Sequence, residues 1–256
     1  MNVQELFSLN GKRGFITGGA RGIGRCLAEG FAEMGADIAL VDINIDLAKQ
    51  TAEELGAKTG RKILAYQCDV TDPASVEQMM EQYVKDYGQI NFAINNAGIC
   101  INEKAEQANP DSFRKVMDIN TNGVFFTAQA AGKAMIGQKT GGTIVNTASM
   151  SGHIVNIPQP QAAYNASKAA VRLLTQSLAV EWAQHGIRVN SVSPGYIMTE
   201  MTAQSTTMHP IWISHIPVGR IGLPEELIGA YLYLASEAST YTTGTDIIVD
   251  GGYISQ

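Results

Sequence analysis

The eight residues Thr17-Gly18-Gly19-Ala20-Arg21-Gly22-Ile23-Gly24 stand between a short apolar run, 13–17, and an amphipathic stretch, 23–34. That order predicts a strand, a tight turn and a helix. Glycine at 18, 22 and 24 lets the backbone turn sharply and come close to a bulky anion. The start of the helix then offers that anion unpaired N–H groups and the positive end of its dipole. A pyrophosphate fits such a cradle, with Arg21 and Ile23 on its rim. The spacing is GxxxGxG rather than GxGxxG, and no GxxxxGK[ST] occurs, which excludes a P-loop.

The remaining chain keeps the same alternation. Runs at 13–17, 37–42, 62–68, 90–95, 143–147, 188–193 and 246–249 read as strands, and helical or loop-helix stretches follow the first six. Strands nearly continuous in Val, Ile, Ala and Phe are buried on both faces. The expected fold is therefore α/β: one doubly wound Rossmann-type domain over residues 1–256, with a parallel seven-stranded sheet and helices on both faces. No repeat, low-complexity tract or linker divides the chain. The least regular stretch, 195–222, follows a strand end and is expected to form a lid.

Charge and cysteine usage narrow the function. The net charge of −6 gives no basic surface for nucleic acid or an anionic membrane. No stretch is long and apolar enough to span a bilayer, and the first fourteen residues do not read as a signal peptide. Cys26, Cys68 and Cys100 form no CxxC pair, so reduced thiols in a cytoplasmic protein are expected. His153, His185, His209 and His215 have no zinc-binding spacing, and no metal is expected.

Asp42 ends the second predicted strand, eighteen residues beyond Gly24. A carboxylate there can accept hydrogen bonds from both ribose hydroxyls of an adenosine and repel a 2′-phosphate, which points to NAD. Arg21 is the opposing feature, since it could reach a 2′-phosphate; Ile43 leaves no second cation after Asp42. Tyr164 and Lys168 fall four residues apart near the start of a predicted helix, 162–185, and so share a face. A cation there is expected to lower the phenol from about 10 toward neutrality and make it an acid/base. Ser149 ends the fifth predicted strand, where ligands of open α/β sheets bind. No GxSxG surrounds it, so it is expected to hold a substrate oxygen rather than attack one.

Taken together, the glycine turn, Asp69-Val70, Asn95-Asn96-Ala97-Gly98, Asn120, Ser149, Tyr164-Asn165-Ala166-Ser167-Lys168 and Pro194-Gly195 resemble the short-chain dehydrogenase/reductase superfamily. The resemblance spans nearly the whole chain. It implies an NAD-dependent enzyme acting on CH–OH groups, with Tyr164 exchanging the alcohol proton. Lys168 would tune Tyr164 and grip the nicotinamide ribose. Ser149 would orient the substrate oxygen, and Asn120 would hold a water leading from Lys168 to solvent. Asp69 and Val70 would flank the adenine. Asn96, Ala97 and Gly98 would line the cofactor, with Asn95 supporting the sheet. Ile197 and Thr199, after Pro194-Gly195, would meet the carboxamide. Relatives are usually tetramers, and the resemblance implies a homotetramer using the helices that begin at Pro110 and Ala162, with Tyr253 near another interface.

One spacing departs from the family. Ser149 and Tyr164 are fifteen residues apart where thirteen is common, and Ser151 would restore thirteen. Ser149-Met150-Ser151-Gly152 keeps the family's SxxG pattern, which favours Ser149. The stretch 149–161 also resembles the group containing D-arabinitol 2-dehydrogenase, sorbose reductase and mannitol 2-dehydrogenase. This implies a sugar alcohol and its 2-ketose as substrates. Ser149, Ser151, His153, Gln159 and Tyr164 are the expected substrate contacts, with Asn156 and Gln161 as further polar candidates. An apolar ketone, a hydroxysteroid or a 3-oxoacyl thioester is the alternative. Ile211, Trp212 and Ile213 could serve an apolar ligand, whereas Arg172, Arg188 and Arg220 do not make a patch for a carrier phosphate. A nicotinamide-sensing protein without activity is disfavoured, because Tyr164 and Lys168 are both present.

Overall fold

A computed structural model describes residues 2–256. A short helix α1 (Val3–Phe7) precedes β1 (Arg13–Thr17), α2 (Gly22–Glu33), β2 (Asp37–Asp42), α3 (Ile45–Thr59) and β3 (Ile63–Gln67). The chain then crosses to α4 (Pro73–Tyr87), β4 (Phe92–Asn95), α5 (Pro110–Met117), α6 (Gly123–Gln138) and β5 (Gly142–Thr147). It finishes with α7 (Ala162–Trp182), β6 (Ile187–Pro194), α8 (Glu200–Ala203), α9 (His209–Ser214), α10 (Glu225–Ala235) and β7 (Asp246–Val249).

The seven strands form one sheet in the order β3-β2-β1-β4-β5-β6-β7. Every pairing is parallel. The alternation of side chains along each strand builds two cores. Ile38, Leu40, Phe92, Ile94 and Val145 face α2, α3 and α10. Phe15, Ala39, Val41, Ala93 and Ile144 face α4, α6 and α7. The strand order reverses between β1 and β4, the switch point at whose carboxyl ends open α/β sheets bind their ligands.

Element ends move by one or two residues from expectation. The fourth strand begins at Phe92 because Ile90 and Asn91 serve the approach to it: the Asn91 N–H bonds to the Arg13 carbonyl. The helix expected over 162–185 ends in a separate 3-10 turn, Ala183–His185, closed by Gly186 at φ +71. The helix beginning at Pro110 is divided by a π-turn, Asp118–Asn122, which carries Asn120. Residues 195–222 are not structureless: α8 and α9 lie within them. They pack Trp212, Ile216 and Ile221 on Met150, Tyr196 and Tyr253, a third cluster above the strand ends.

Candidate active site

The glycine turn has the shape its composition suggests. Gly18 and Gly22 adopt φ +62 and +55, which L side chains rarely tolerate. A Cβ on Gly24 would lie 2.1 Å from the Gly18 carbonyl oxygen, so the helix start packs directly on the turn. Arg21 caps α2 with no side-chain hydrogen bond, which leaves the first N–H groups of that helix directed into the cradle. A dinucleotide pyrophosphate fits these residues.

The neighbouring loops hold the cradle in place. Thr17 Oγ1 accepts from the backbone N–H groups of Asn96 and Ala97, at 2.9 and 3.0 Å. The Asn96 amide donates to the carbonyls of Thr17 and Gly18. These bonds join the loops that follow β1 and β4. Asp42 accepts from the N–H of Ala20 at 3.2 Å and of Asn44 at 3.0 Å, which orients its carboxylate beside the turn. Among the described residues no cation pairs with Asp42. Asp69 closes a turn with Thr71, and Val70 is buried where a Cβ on Gly123 would strike it. Asn95 donates to Asn146, which donates to Thr175, tying the sheet centre to α7.

Ser149, Tyr164 and Lys168 converge at the end of β5. Ser149 Oγ accepts from the Ser151 N–H at 3.1 Å and so has its own proton free to donate. That hydroxyl is near enough to the Tyr164 phenol to draw it down. Ser151 Oγ accepts from the Gln161 amide at 3.2 Å, so its hydroxyl proton is free as well. Lys168 is buried, donates to the Thr147 carbonyl at 2.7 Å, and stands 5.7 Å from the centre of the Tyr164 ring. A Cβ on Gly98 would approach Lys168 Nζ to 3.6 Å, which places the Asn96–Gly98 loop against the same ammonium.

Burial governs both titrating groups. It disfavours the ammonium of Lys168 and brings it down to about 8. It also pushes the Tyr164 phenol up; Cys100 adds to the rise and the Ser149 hydrogen bond opposes it. A phenol lowered toward neutrality was the sequence expectation. Burial instead raises it, and Lys168 is not among the groups that draw it down.

Several expected residues act on the protein itself. Asn120 closes a two-way clasp on Ile99 at 2.9 Å each way and donates to Ser167, so its amide is satisfied by protein groups. Gln159 donates to the Tyr196 hydroxyl at 2.8 Å and accepts from Trp212 Nε1 at 3.0 Å. Tyr196 and Trp212 stack at 4.1 Å with an interplanar angle of 9°. Gln161 donates toward Asn156 and Asn165 as well as Ser151. His153 turns away from the strand ends to Asp246. After Pro194, the Gly195 N–H bonds to Val249. Ile197 pairs with Gly222, and Thr199 caps α8 through Thr202.

The sequence reading overlooked Cys100, Tyr196 and Asp246. Cys100 sits close enough to influence Tyr164 and Lys168, and burial raises its own thiol to about 11. Only Tyr196 had a local signal, its place just after Pro194-Gly195.

Comparison with known proteins agrees with this geometry. The family profile described as "Enoyl-(Acyl carrier protein) reductase" matches residues 18–254. A sorbose reductase of Candida albicans is 49% identical over 255 residues, covering 98% of this chain and 90% of that protein. A "Probable NADP-dependent mannitol dehydrogenase" of Yarrowia lipolytica is 48% identical, covering 98% of this chain and 91% of that protein. The crystal structure of a short-chain type dehydrogenase/reductase from Mycobacterium marinum superposes with a TM-score of 0.96 at 50% identity, covering 98% of this chain and 99% of that one.

Proposed function

The chain belongs to the short-chain dehydrogenase/reductase family, and from that premise we propose that it transfers hydride reversibly between NAD(H) and a sugar alcohol/2-ketose pair. The observation that carries this reading is the convergence of Ser149, Tyr164 and buried Lys168 beside the glycine cradle.

A nicotinamide dinucleotide held by its pyrophosphate in that cradle would supply or accept the hydride. The chain's own groups handle the oxygen and its proton. Ser149 directs its O–H at the substrate oxygen, next to Tyr164. Tyr164 donates its proton to the alkoxide that forms as a ketone is reduced, and the phenolate this leaves takes the alcohol's proton in the reverse direction. Lys168 keeps a positive charge at neutral pH beside the ring and the Asn96–Gly98 loop, where it can hold a ribose hydroxyl.

NAD(H) is preferred to NADP(H) in this reading because Asp42 sits at the end of β2 without a cationic partner among the described residues. The mannitol dehydrogenase relative, NADP-dependent by name, represents the other choice. A polyol brings several hydroxyls, and each one buried without a partner costs about 1–3 kcal/mol. Ser149, Tyr164 and Ser151 are the proposed contacts, with Gln159 and His153 one layer behind. Residues 195–222 form the proposed lid. A homotetramer is supported by α7, which exposes Leu173 and Val180 at 65% and 80%. A cytoplasmic location is supported by three free cysteines. No helix among the described residues is long and apolar enough to cross a membrane.

The test is a panel assay with NAD comparing kcat/KM for arabinitol, mannitol and sorbitol with cyclic alcohols and hydroxysteroids. Polyols are expected to lead. A hundredfold advantage for the apolar alcohols would reject the polyol reading and leave the role of Tyr164 standing.

A further inference from the structure

His153 is the one polar residue of the 149–161 loop whose side chain reaches back onto the sheet. Its Nε2 lies 2.6 Å from Asp246 Oδ2. A carboxylate only accepts, so the histidine donates. Asp246 opens β7, and its side chain is largely buried. The same carboxylate accepts from Ser191 Oγ at 2.7 Å and Ser193 Oγ at 2.8 Å, both on β6. Arg172 Nε makes an ion-pair contact with it at 3.3 Å. One carboxylate thus collects groups from β6, from α7 and from the turn that follows Ser149.

Arg172 closes the arrangement. It lies one helical turn beyond Lys168, and its Nη1 donates to the Gly152 carbonyl at 2.8 Å. Gly152 in turn rests on the backbone of Lys168 and Ala169, where a Cβ would approach within 2.8 Å. The 3-10 turn Met150–Gly152, whose cap is Ser149, is therefore pressed onto the catalytic helix from one side. His153 and Asp246 hold its far end to the sheet.

We propose that His153, Asp246 and Arg172 form a positioning strut that sets the separation of the Ser149 hydroxyl from Tyr164, and that His153 serves catalysis through this strut rather than by touching substrate. The physical reason is the steepness of catalysis in geometry. Ser149 rides on a turn, Tyr164 on a helix, and the substrate oxygen must meet both hydroxyls at once. A displacement of about 1 Å at such a point can cost on the order of a hundredfold in rate. A buried carboxylate that accepts from three donors and faces a guanidinium resists such displacement, because each partner lost leaves another group unpaired. The fifteen-residue spacing between Ser149 and Tyr164 gives the mechanical need. The longer loop has more freedom, and the strut removes it where the turn ends.

The proposal rests on Ser149 and Tyr164 acting on the substrate oxygen, whichever alcohol is used. The assay therefore takes the best substrate from the panel, and Tyr164→Phe serves as the control for that underlying reading. For His153→Ala, Asp246→Asn and Arg172→Met, kcat, KM and the Kd for NADH are measured alongside Tm. His153→Ala and Asp246→Asn are expected to lower kcat at least tenfold, with KM within threefold and the Kd for NADH within twofold of wild type. Arg172→Met, at the half-exposed end of the strut, is expected to lower kcat several-fold and to remain folded even where a buried variant does not. His153→Gln, which keeps a donor toward Asp246, should recover most of the lost kcat. A rise in KM with unchanged kcat in His153→Ala would overturn the proposal in favour of direct substrate contact. So would a folded His153→Ala or Arg172→Met enzyme with wild-type kcat, or a His153→Gln enzyme no better than His153→Ala. Near-normal turnover by Tyr164→Phe would instead remove the underlying reading.

Discussion

Gly152 rests directly on the backbone of Lys168, so close that a Cβ at position 152 would meet the lysine's carbonyl carbon and oxygen at 2.8 Å. This contact gives the SxxG pattern a physical meaning. It is a steric requirement at the junction of the serine turn with the catalytic helix, without any positive φ. Gly152→Ala must push the turn away from α7. The expected result is a loss of about 1–3 kcal/mol in unfolding free energy from overpacking and a fall in kcat larger than the change in NADH affinity. Urea unfolding with steady-state kinetics checks both.

Tyr164→Phe removes the proton donor and little else. General acid–base groups contribute about 10²–10⁴ in rate, so kcat should fall by roughly a thousandfold. NADH fluorescence titration should give an affinity close to wild type. Near-normal turnover would place the proton elsewhere.

Lys168 makes stability depend on pH in a definite direction. Its folded value, about 8, lies below the ordinary 10.5, so between those values the unfolded chain binds the extra proton. Stability then rises with pH across that window, because the cost of burying the ammonium disappears as it deprotonates in the folded state. Relative to Lys168→Met, wild type should gain about 2 kcal/mol between pH 7 and 9.5. Paired denaturation curves at the two pH values measure it, and a flat difference would contradict the shift.

Asp42 should decide the dinucleotide. Wild type is expected to bind NADH more tightly than NADPH. Asp42→Ser, which removes the charge, should move the ratio of the two Kd values at least tenfold toward NADPH. Tighter NADPH binding by wild type would transfer the decision to Arg21.

The stack of Tyr196 on Trp212 and the indole bond to Gln159 join the 195–222 segment to the loop after Ser149. Trp212→Phe keeps the aromatic face but leaves Gln159 Oε1 buried without its donor, at a cost of about 1–3 kcal/mol. If this segment is the lid, substrate KM should rise several-fold while the Kd for NADH is retained. Unchanged KM would detach the segment from substrate binding.

The sequence by itself determined the parts of this protein that repeat locally. Apolar runs with β-branched residues define seven strands, and the glycine turn between a strand and a helix defines the cradle. Positions i and i+4 on one helix place Tyr164 and Lys168 together. All of these depend on contacts between near neighbours, so residue type and spacing carry them. The tertiary structure decided whatever depends on which distant residues share a buried space. His153 looked like a pocket residue until β7 brought Asp246, ninety-three positions away, to its imidazole. Gln159 looked available until Trp212 and Tyr196 took both ends of its amide. The phenol of Tyr164 was expected to fall beside a lysine and instead rises, because burial is a property of the assembled fold. A polar side chain in a loop has no single local partner, and its role is set by the groups that desolvation forces it to meet.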